Sequence, residues 1–369
     1  MQKFSPSLLL VSLYMLVTIA VDPVFYRRAA KLLFRRLPTA AMPQTPPDLP
    51  AATDITFPID LVYTWVDGTD ADYLAQRTHW ARSLSLIRGN QDARRFEDHG
   101  ELQLSLRSVQ AYLPWIRTIF IITNDQTPPW LDTSHPKIRI ISASHLFASK
   151  SDYPSFNSHA LEFQLHHIPD LAEHFIYCCD DMFFGQPCQP GDFFDVAQGK
   201  SQCRLSFDNY NLPAFLFYRP GGIQERYWRQ AWNNLKYVMA KDFPGYNVRL
   251  HTRHQATPLK KSLLAELAQR YPYIYQTVSA NRFRALNDVP PIGFAAHYAL
   301  ATGQAIQKDI SSLCANITVL LRHMQQEGPP KLLCINSCDS QDPAWAAMAK
   351  AGFYTQPSEY EKTAAETNR

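Results

Sequence analysis

Two adjacent carboxylates, Asp180 and Asp181, interrupt an otherwise apolar stretch, His174–Gly185 (HFIYCCDDMFFG). Phe175, Ile176 and Tyr177 form a β-favouring run of the kind found in a strand covered on both faces. In an open α/β sheet, ligands sit at the carboxyl ends of the strands. Acids at that edge would offer hard oxygens to a divalent cation, and the cation would neutralise phosphate charge. A solvated turn is the alternative, since Asp is frequent in turns. The apolar sequence on both sides weighs against it, because charge beside buried chain is costly unless something pairs with it.

Other residues could complete such a site. Asp67 follows a strand in a Trp-Val-Asp-Gly turn and either meets a nucleotide or sugar or only shapes the turn. Arg107, one step past an apolar helix position, either turns its fork toward phosphate oxygens or lies on a solvated face. Asn157 and Ser158 open a helix, where they cap it or leave free N–H groups to an anion. His251 and His254 are alternatives for a base that takes a proton from a hydroxyl, or are solvated loop histidines. Arg282 and Arg284 form a pair that could hold a diphosphate.

The elements that must position these residues alternate. Ile59–Val66 reads as a strand, Glu101–Leu113 as a helix with Leu102, Leu106, Val109 and Leu113 on one stripe, and Thr118–Thr123 as a strand. Ile138–Ile141 reads as a further strand, His159–His167 as a helix, and then comes the Asp-Asp strand. That order implies βαβ units: an α/β fold with a mostly parallel sheet flanked by helices. The C-terminal part is more helical, with helices over Arg226–Ala240, Leu259–Arg270 and Phe294–Ala301, while Ile310–Met324 is ambiguous.

Composition sets bounds. The 369 residues carry a net charge of only +3 with no dense Lys/Arg track in the globular part, so nucleic acid is not an expected partner. Seven cysteines without a repeated C-x-x-C spacing suit neither a disulfide framework nor a zinc knuckle, and point to a reducing compartment. Cys178 and Cys179 read as core fillers. Leu8–Val21 is apolar over fourteen residues, short of the roughly 20 that a spanning helix needs. The following VFYRRAAKLLFRRLP has the pattern of a basic amphipathic helix on an anionic membrane surface. The expected organisation is therefore a membrane-associating segment over 1–37, a Pro/Ala-rich linker over 38–56, a catalytic α/β domain over 57–362 and a frayed tail over 363–369, with fraying setting in after Tyr354. The implied location is cytoplasmic, peripheral at or anchored in the inner membrane.

In this order the motifs resemble the Stealth family of sugar-1-phosphate transferases. The first signature block resembles IDLVYTWVDGTD, and the second RFEDHGELQLSLRSVQAYLPWIRTIFIITNDQTPPWL, continuing through YPSFNSHALEFQLHHIP to FIYCCDDMFFGQP. The third is similar to RHQATPLKKSLLAELAQRYP with NRFR behind it, and the fourth to KLLCINSCDS followed by QPSEYEK. The resemblance implies a GT-A-like α/β core, a UDP-sugar donor, an oligosaccharide or polysaccharide acceptor, and Mg²⁺ or Mn²⁺. It also implies that the acceptor hydroxyl attacks the β-phosphorus, so that sugar-1-phosphate is transferred and UMP leaves. An ordinary glycosyltransferase would release UDP, and a scaffold would turn over no donor; no single residue separates these readings.

By the resemblance, Asp180 and Asp181 hold the metal, and Asp67, His254 and Arg284 are functional positions. Arg107 and Asn124 match donor-site positions of the second block. Two departures stand out. Pro258 comes four residues after His254, where the third block usually has His-x-Pro. Ile335-Asn336-Ser337 replaces the usual Leu-Asn-Asp of the fourth block, which leaves Asp339 as the stand-in carboxylate.

Overall fold

Strand β1 (Ile59–Thr64) is apolar along nearly its whole length because it is paired on both sides and covered on both faces. The computed structural model describes residues 57–84, 96–203, 205–207, 223–246, 248, 250–252, 254–335 and 356–363. The chain divides into two compact units, and every described residue belongs to the one comprising 43–208 and 221–369. The expected membrane-associating segment, the linker and Asp339 lie outside the described residues.

After β1 come α1 (Ala71–Ser83), α2 (Glu101–Tyr112), β2 (Ile119–Thr123), β3 (Ile138–Ser142) and the short α3 (Ser158–Glu162). Strands β4 (His174–Cys179) and β5 (Met182–Phe184) flank the Asp180–Asp181 turn and belong to different sheets. The small strands β6 (Phe194–Asp195), β7 (Lys200–Cys203) and β8 (Leu205–Phe207) follow, then α4 (Ile223–Asp242), β9 (Leu250–Thr252) and β10 (Thr257–Lys260). The chain continues through α5 (Lys261–Arg270), α6 (Pro272–Ala280), α7 (Pro291–Ala301), β11 (Ala305–Gln307), β12 (Ser312–Ala315), α8 (Ile317–Glu327) and β13 (Leu332–Ile335).

The main sheet has the order β10-β4-β1-β2-β3, with four parallel strands and β10 antiparallel at one edge. It is the mostly parallel α/β core expected for a GT-A-like fold. Smaller sheets join β11-β7-β6, β12-β13-β5 and β8-β9. One face of the main sheet buries Val62, Phe120, Phe175 and Tyr177 with Leu263, Leu264 and Phe294 of α5 and α7. The other buries Leu61, Tyr63, Ile121 and Ile176 with Leu102, Leu106 and Val109 of α2. The α2 stripe is as periodicity predicts, and its residues are at most 1% exposed.

Several boundaries differ from expectation. The helix expected over His159–His167 ends at Glu162 and gives way to a 3-10 turn at Leu165–His167, ahead of Pro169. Leu259 and Lys260 belong to strand β10 rather than to the following helix. The ambiguous Ile310–Met324 resolves into β12 and α8, and Asn316 caps α8 by accepting from the Val319 N–H at 3.0 Å. The polar stretch past Tyr354 is not frayed over 356–363: Tyr360 is buried, and Glu361 accepts a two-pronged ion pair from Arg107 at 2.6 and 2.7 Å.

Asp60 shows what holds the sheet's amino-terminal edge. It is fully buried in β1, receives the Arg117 fork at 2.8 and 2.5 Å, and accepts from the Ala172 N–H at 2.7 Å. One carboxylate thus ties β1 to the chain entering β2 and to the chain entering β4. Asp60→Ala would leave the amide without its acceptor and the guanidinium without its counter-ion. We expect a loss of about 3 kcal/mol, read from the urea midpoint at constant slope.

Candidate functional site

The Asp180–Asp181 turn is held from three sides. On α2, Ser105 Oγ donates to the Met182 carbonyl at 2.5 Å and Ser108 Oγ accepts from the Phe184 N–H at 3.1 Å. Two small polar residues on an otherwise apolar helix face therefore satisfy the backbone that follows the acids. On the other side, β13 pairs antiparallel with β5, and the Ile335 N–H donates to the Asp181 carbonyl at 3.0 Å. The third support is β10. Its antiparallel register sets Thr257 opposite Tyr177, so the residues just before Thr257 arrive level with the end of β4. Pro258 sits in this edge strand, where a missing N–H is tolerated.

That register delivers His254 to the acids. Its Nε2 lies 3.5 Å from Asp181 Oδ2. Burial is the largest single influence and opposes its charge, but the charge and hydrogen bond of Asp181, with Cys314 and Glu162 nearby, together outweigh it and push it up to about 9. An imidazole in that state holds a proton rather than accepting one. It can serve as a base only when the Asp181 charge is engaged elsewhere. His251 lies in β9, in register with Ser206.

Carboxylates crowd this turn. Burial first, then the charges of Asp181, Glu101 and Asp98, push Asp180 well above the ordinary carboxylate range. Asp181 Oδ1 is buried and has no hydrogen-bond partner among the described residues. An orphaned carboxylate oxygen beside a second acid is a site that a hard divalent cation fits, since Mg²⁺ and Mn²⁺ take oxygen ligands. Asp180 and Asp181 are thus the residues that would hold it. A softer set overlaps them: Cys179 Sγ, an Asp181 oxygen and a His254 ring nitrogen all lie within 4.8 Å of one another. Cys179 is partly exposed at the strand end, whereas Cys178 is the core filler expected.

A second group of charges lies close by. Arg284 donates to Ser158 Oγ at 3.1 Å, and burial lowers its pKa against the pull of Glu162 and Asp288. Glu162, on α3, is buried and raised by that burial, with His159, Arg284 and His254 pulling it back. Tyr177 bridges to the sheet, donating to Glu162 at 3.4 Å and sharing a hydrogen bond with Thr64 at 3.1 Å. Glu162 is a candidate site residue that the sequence reading passed over. Its only signal is a charge inside the apolar run Ala160–Phe163, in the helix that precedes the strand leading to the acidic turn.

The remaining expected residues have other partners. The Arg107 fork is engaged by Glu361. Arg282 donates to the carbonyls of Pro154, at 2.6 Å, and Ser151, with its guanidinium carbon 3.7 Å from the Trp80 ring centre. Asn157 caps α3 and donates to Asn281 and Asp288, both at 3.1 Å. Asp67 closes its own turn by accepting from the Thr69 N–H and hydroxyl at 2.8 and 2.6 Å. Asn124 reaches the Ser155 carbonyl at 3.4 Å. Of the expected set, the structure brings Asp180, Asp181 and His254 together and joins Ser158 to Arg284.

A mostly parallel α/β sheet with an acidic turn and a histidine paired to it at the carboxyl edge is the class of molecule that these features define. Three family models match the chain: Stealth protein CR1, conserved region 1, over residues 57–84; CR2, conserved region 2, over 95–202; and CR3, conserved region 3, over 253–301. The chain belongs to the Stealth protein family. It is 33% identical over 344 residues to the exopolysaccharide phosphotransferase CpsY of Mycobacterium tuberculosis, covering 87% of this chain and 61% of that protein. It is also 33% identical over 327 residues to the exopolysaccharide phosphotransferase SCO6023 of Streptomyces coelicolor, covering 84% of this chain and 53% of the relative. The chain thus spans between half and two thirds of the length of these relatives. Among solved structures, it is similar to the galactosyltransferase LgtC in complex with donor and acceptor sugar analogues, with a TM-score of 0.42, 10% identity, and coverage of 84% of this chain and 99% of that one.

Glu101 offers a check on the crowding. Burial, with Asp98 nearby, raises it from 4.5 to about 7. The folded protein therefore holds this proton more tightly than the unfolded chain, and ionising it between pH 4.5 and 7 costs stability. Glu101→Gln is expected to gain about 2–3 kcal/mol at pH 8 and almost nothing at pH 4.5, by urea melts. A gain independent of pH would refute the assignment.

Proposed function

We propose that the protein transfers sugar-1-phosphate, N-acetylhexosamine-1-phosphate in the first instance, from a UDP-sugar to a hydroxyl of a growing polysaccharide. The product is a phosphodiester and the leaving group is UMP. Family membership and the names of the relatives, exopolysaccharide phosphotransferases, support phosphotransfer in polysaccharide synthesis. The observation that carries the reading onto this chain is the meeting of Asp181 and His254 at the end of β4.

Asp180 and Asp181 would hold Mg²⁺ or Mn²⁺, which when bound neutralises diphosphate charge. Arg284, steadied by Ser158, supplies positive charge for the equatorial oxygens of the transferring phosphoryl group. His254 takes the acceptor hydroxyl's proton at Nε2 once Asp181 no longer holds that nitrogen charged. Glu162 balances Arg284 and, through Tyr177, keeps it registered to the strand ends. Arg107, Asn157 and Arg282 act one layer back, by fixing the elements that carry these groups. Asp67 and Asn124 border the same sheet edge, where they would meet the nucleotide. His251 is the alternative base and Asp339 an additional metal carboxylate.

Among the described residues no helix is long and apolar enough to cross a membrane. The basic pattern in residues 1–37 supports peripheral association with the anionic cytoplasmic face of the inner membrane.

Incubation with UDP-N-acetylglucosamine, an oligosaccharide acceptor and Mg²⁺ tests the reading. Phosphorus NMR is expected to show a new phosphodiester, and chromatography UMP. Release of UDP would make the protein a conventional glycosyltransferase, and absence of turnover would favour a scaffold. Asp181→Asn is expected to lower turnover at saturating donor at least about a hundredfold; near-normal activity in that variant would remove Asp181 from the mechanism.

A further inference from the structure

The Cys179–Asp181–His254 cluster uses donors that a magnesium site does not need. Hard cations take oxygen, whereas thiolate and imidazole select zinc and its neighbours. The three ligand atoms come from two adjoining strand ends and lie within 4.8 Å of one another, with His254 and Asp181 already at 3.5 Å. Ligands of a tetrahedral zinc sit at about 2.0–2.3 Å from the ion, so small side-chain rotations close the set. Three protein ligands leave a fourth position open. Cys334 stands behind the carboxylate, its Sγ 3.6 Å from Asp181 Oδ2, in the place of an outer hydrogen bond that orients a ligand.

We propose that Cys179, Asp181 and His254 form a binding site for a soft divalent transition metal, with Zn²⁺ as its natural probe, and that filling it shuts the enzyme off. On binding, the Cys179 thiol gives its proton to the buffer and His254 ligates as neutral imidazole, so thiolate and carboxylate offset the ion's charge. The inhibitory half rests on the proposed transferase reading. Asp181 belongs to both metal sites and cannot serve both fully, and His254, once ligated, has no lone pair left for the acceptor's proton.

Titrating the purified full chain with Co²⁺ tests the site without any substrate. The expected result is one equivalent bound with thiolate-to-cobalt charge-transfer absorption, displaced by Zn²⁺. Cys179→Ala should lose the absorption, and Cys188→Ala, whose thiol donates to the Gln186 carbonyl, should keep it. Should Cys179→Ala fail to fold, His254→Ala, altered at a half-exposed ring, should keep the thiolate absorption but bind at least about tenfold more weakly. Absence of the absorption in the native chain, or its survival in Cys179→Ala, overturns the site. In the turnover assay with Mg²⁺, the Zn²⁺ concentration for half-inhibition should rise at least about tenfold in Cys179→Ala, relative to that variant's own rate. An unchanged concentration overturns the inhibitory role. Loss of all turnover in the native chain counts against the transferase reading, and the cobalt titration then decides the site alone.

Discussion

Carboxylate charge gathered at the end of a buried strand is the constraint on which the structure turns. Asp180 and Asp181 leave a strand with almost no exposed surface, and Asp98 and Glu101 add their fields from the start of α2. Such a group is unfavourable unless a cation, a proton or hydrogen-bond donors answer it. The protein answers it incompletely: His254 pairs with one oxygen of Asp181, and the other is buried without a partner among the described residues. The incompleteness is what makes the turn a candidate site rather than a structural ion pair.

The scaffold explains why the turn can carry this load. Ser105 and Ser108 on α2, the Ile335 N–H of β13 and the antiparallel register of β10 each fix a different part of it. These supports come from widely separated parts of the chain. The segment around Glu361 works in the same way at a distance, clamping Arg107 of α2 and pairing with the loop at Leu131. Of the residues that the resemblance singles out, Asp180, Asp181 and His254 meet at the acidic turn, whereas Arg107 pairs with Glu361.

What could be read in advance follows from which forces act locally. The β1 and β4 strands, the α2 stripe and the mostly parallel sheet were legible because apolar periodicity reports burial directly. The acidic pair was legible because charge in an apolar run is anomalous. The family resemblance sharpened the choice of His254, but its placement needs the register of β10 on β4, a long-range pairing that no local pattern encodes. Glu162 escaped notice and Cys179 read as a core filler for the same reason: each looks like an ordinary residue of its own element until neighbouring elements surround it. Arg107 and Arg282 illustrate the converse. A guanidinium in sequence promises phosphate binding, whereas here Glu361, Pro154 and Ser151 answer those forks.

Occupancy of the Asp180–Asp181 turn by a hard cation is the central expectation. Crystals soaked with UDP-N-acetylglucosamine and Mn²⁺, examined by manganese anomalous scattering, should show the ion coordinated by Asp181 Oδ1 and by Asp180, in contact with the donor's diphosphate. A fully occupied ion elsewhere, with the Asp180–Asp181 turn empty and its oxygens bonded only to water, would contradict it.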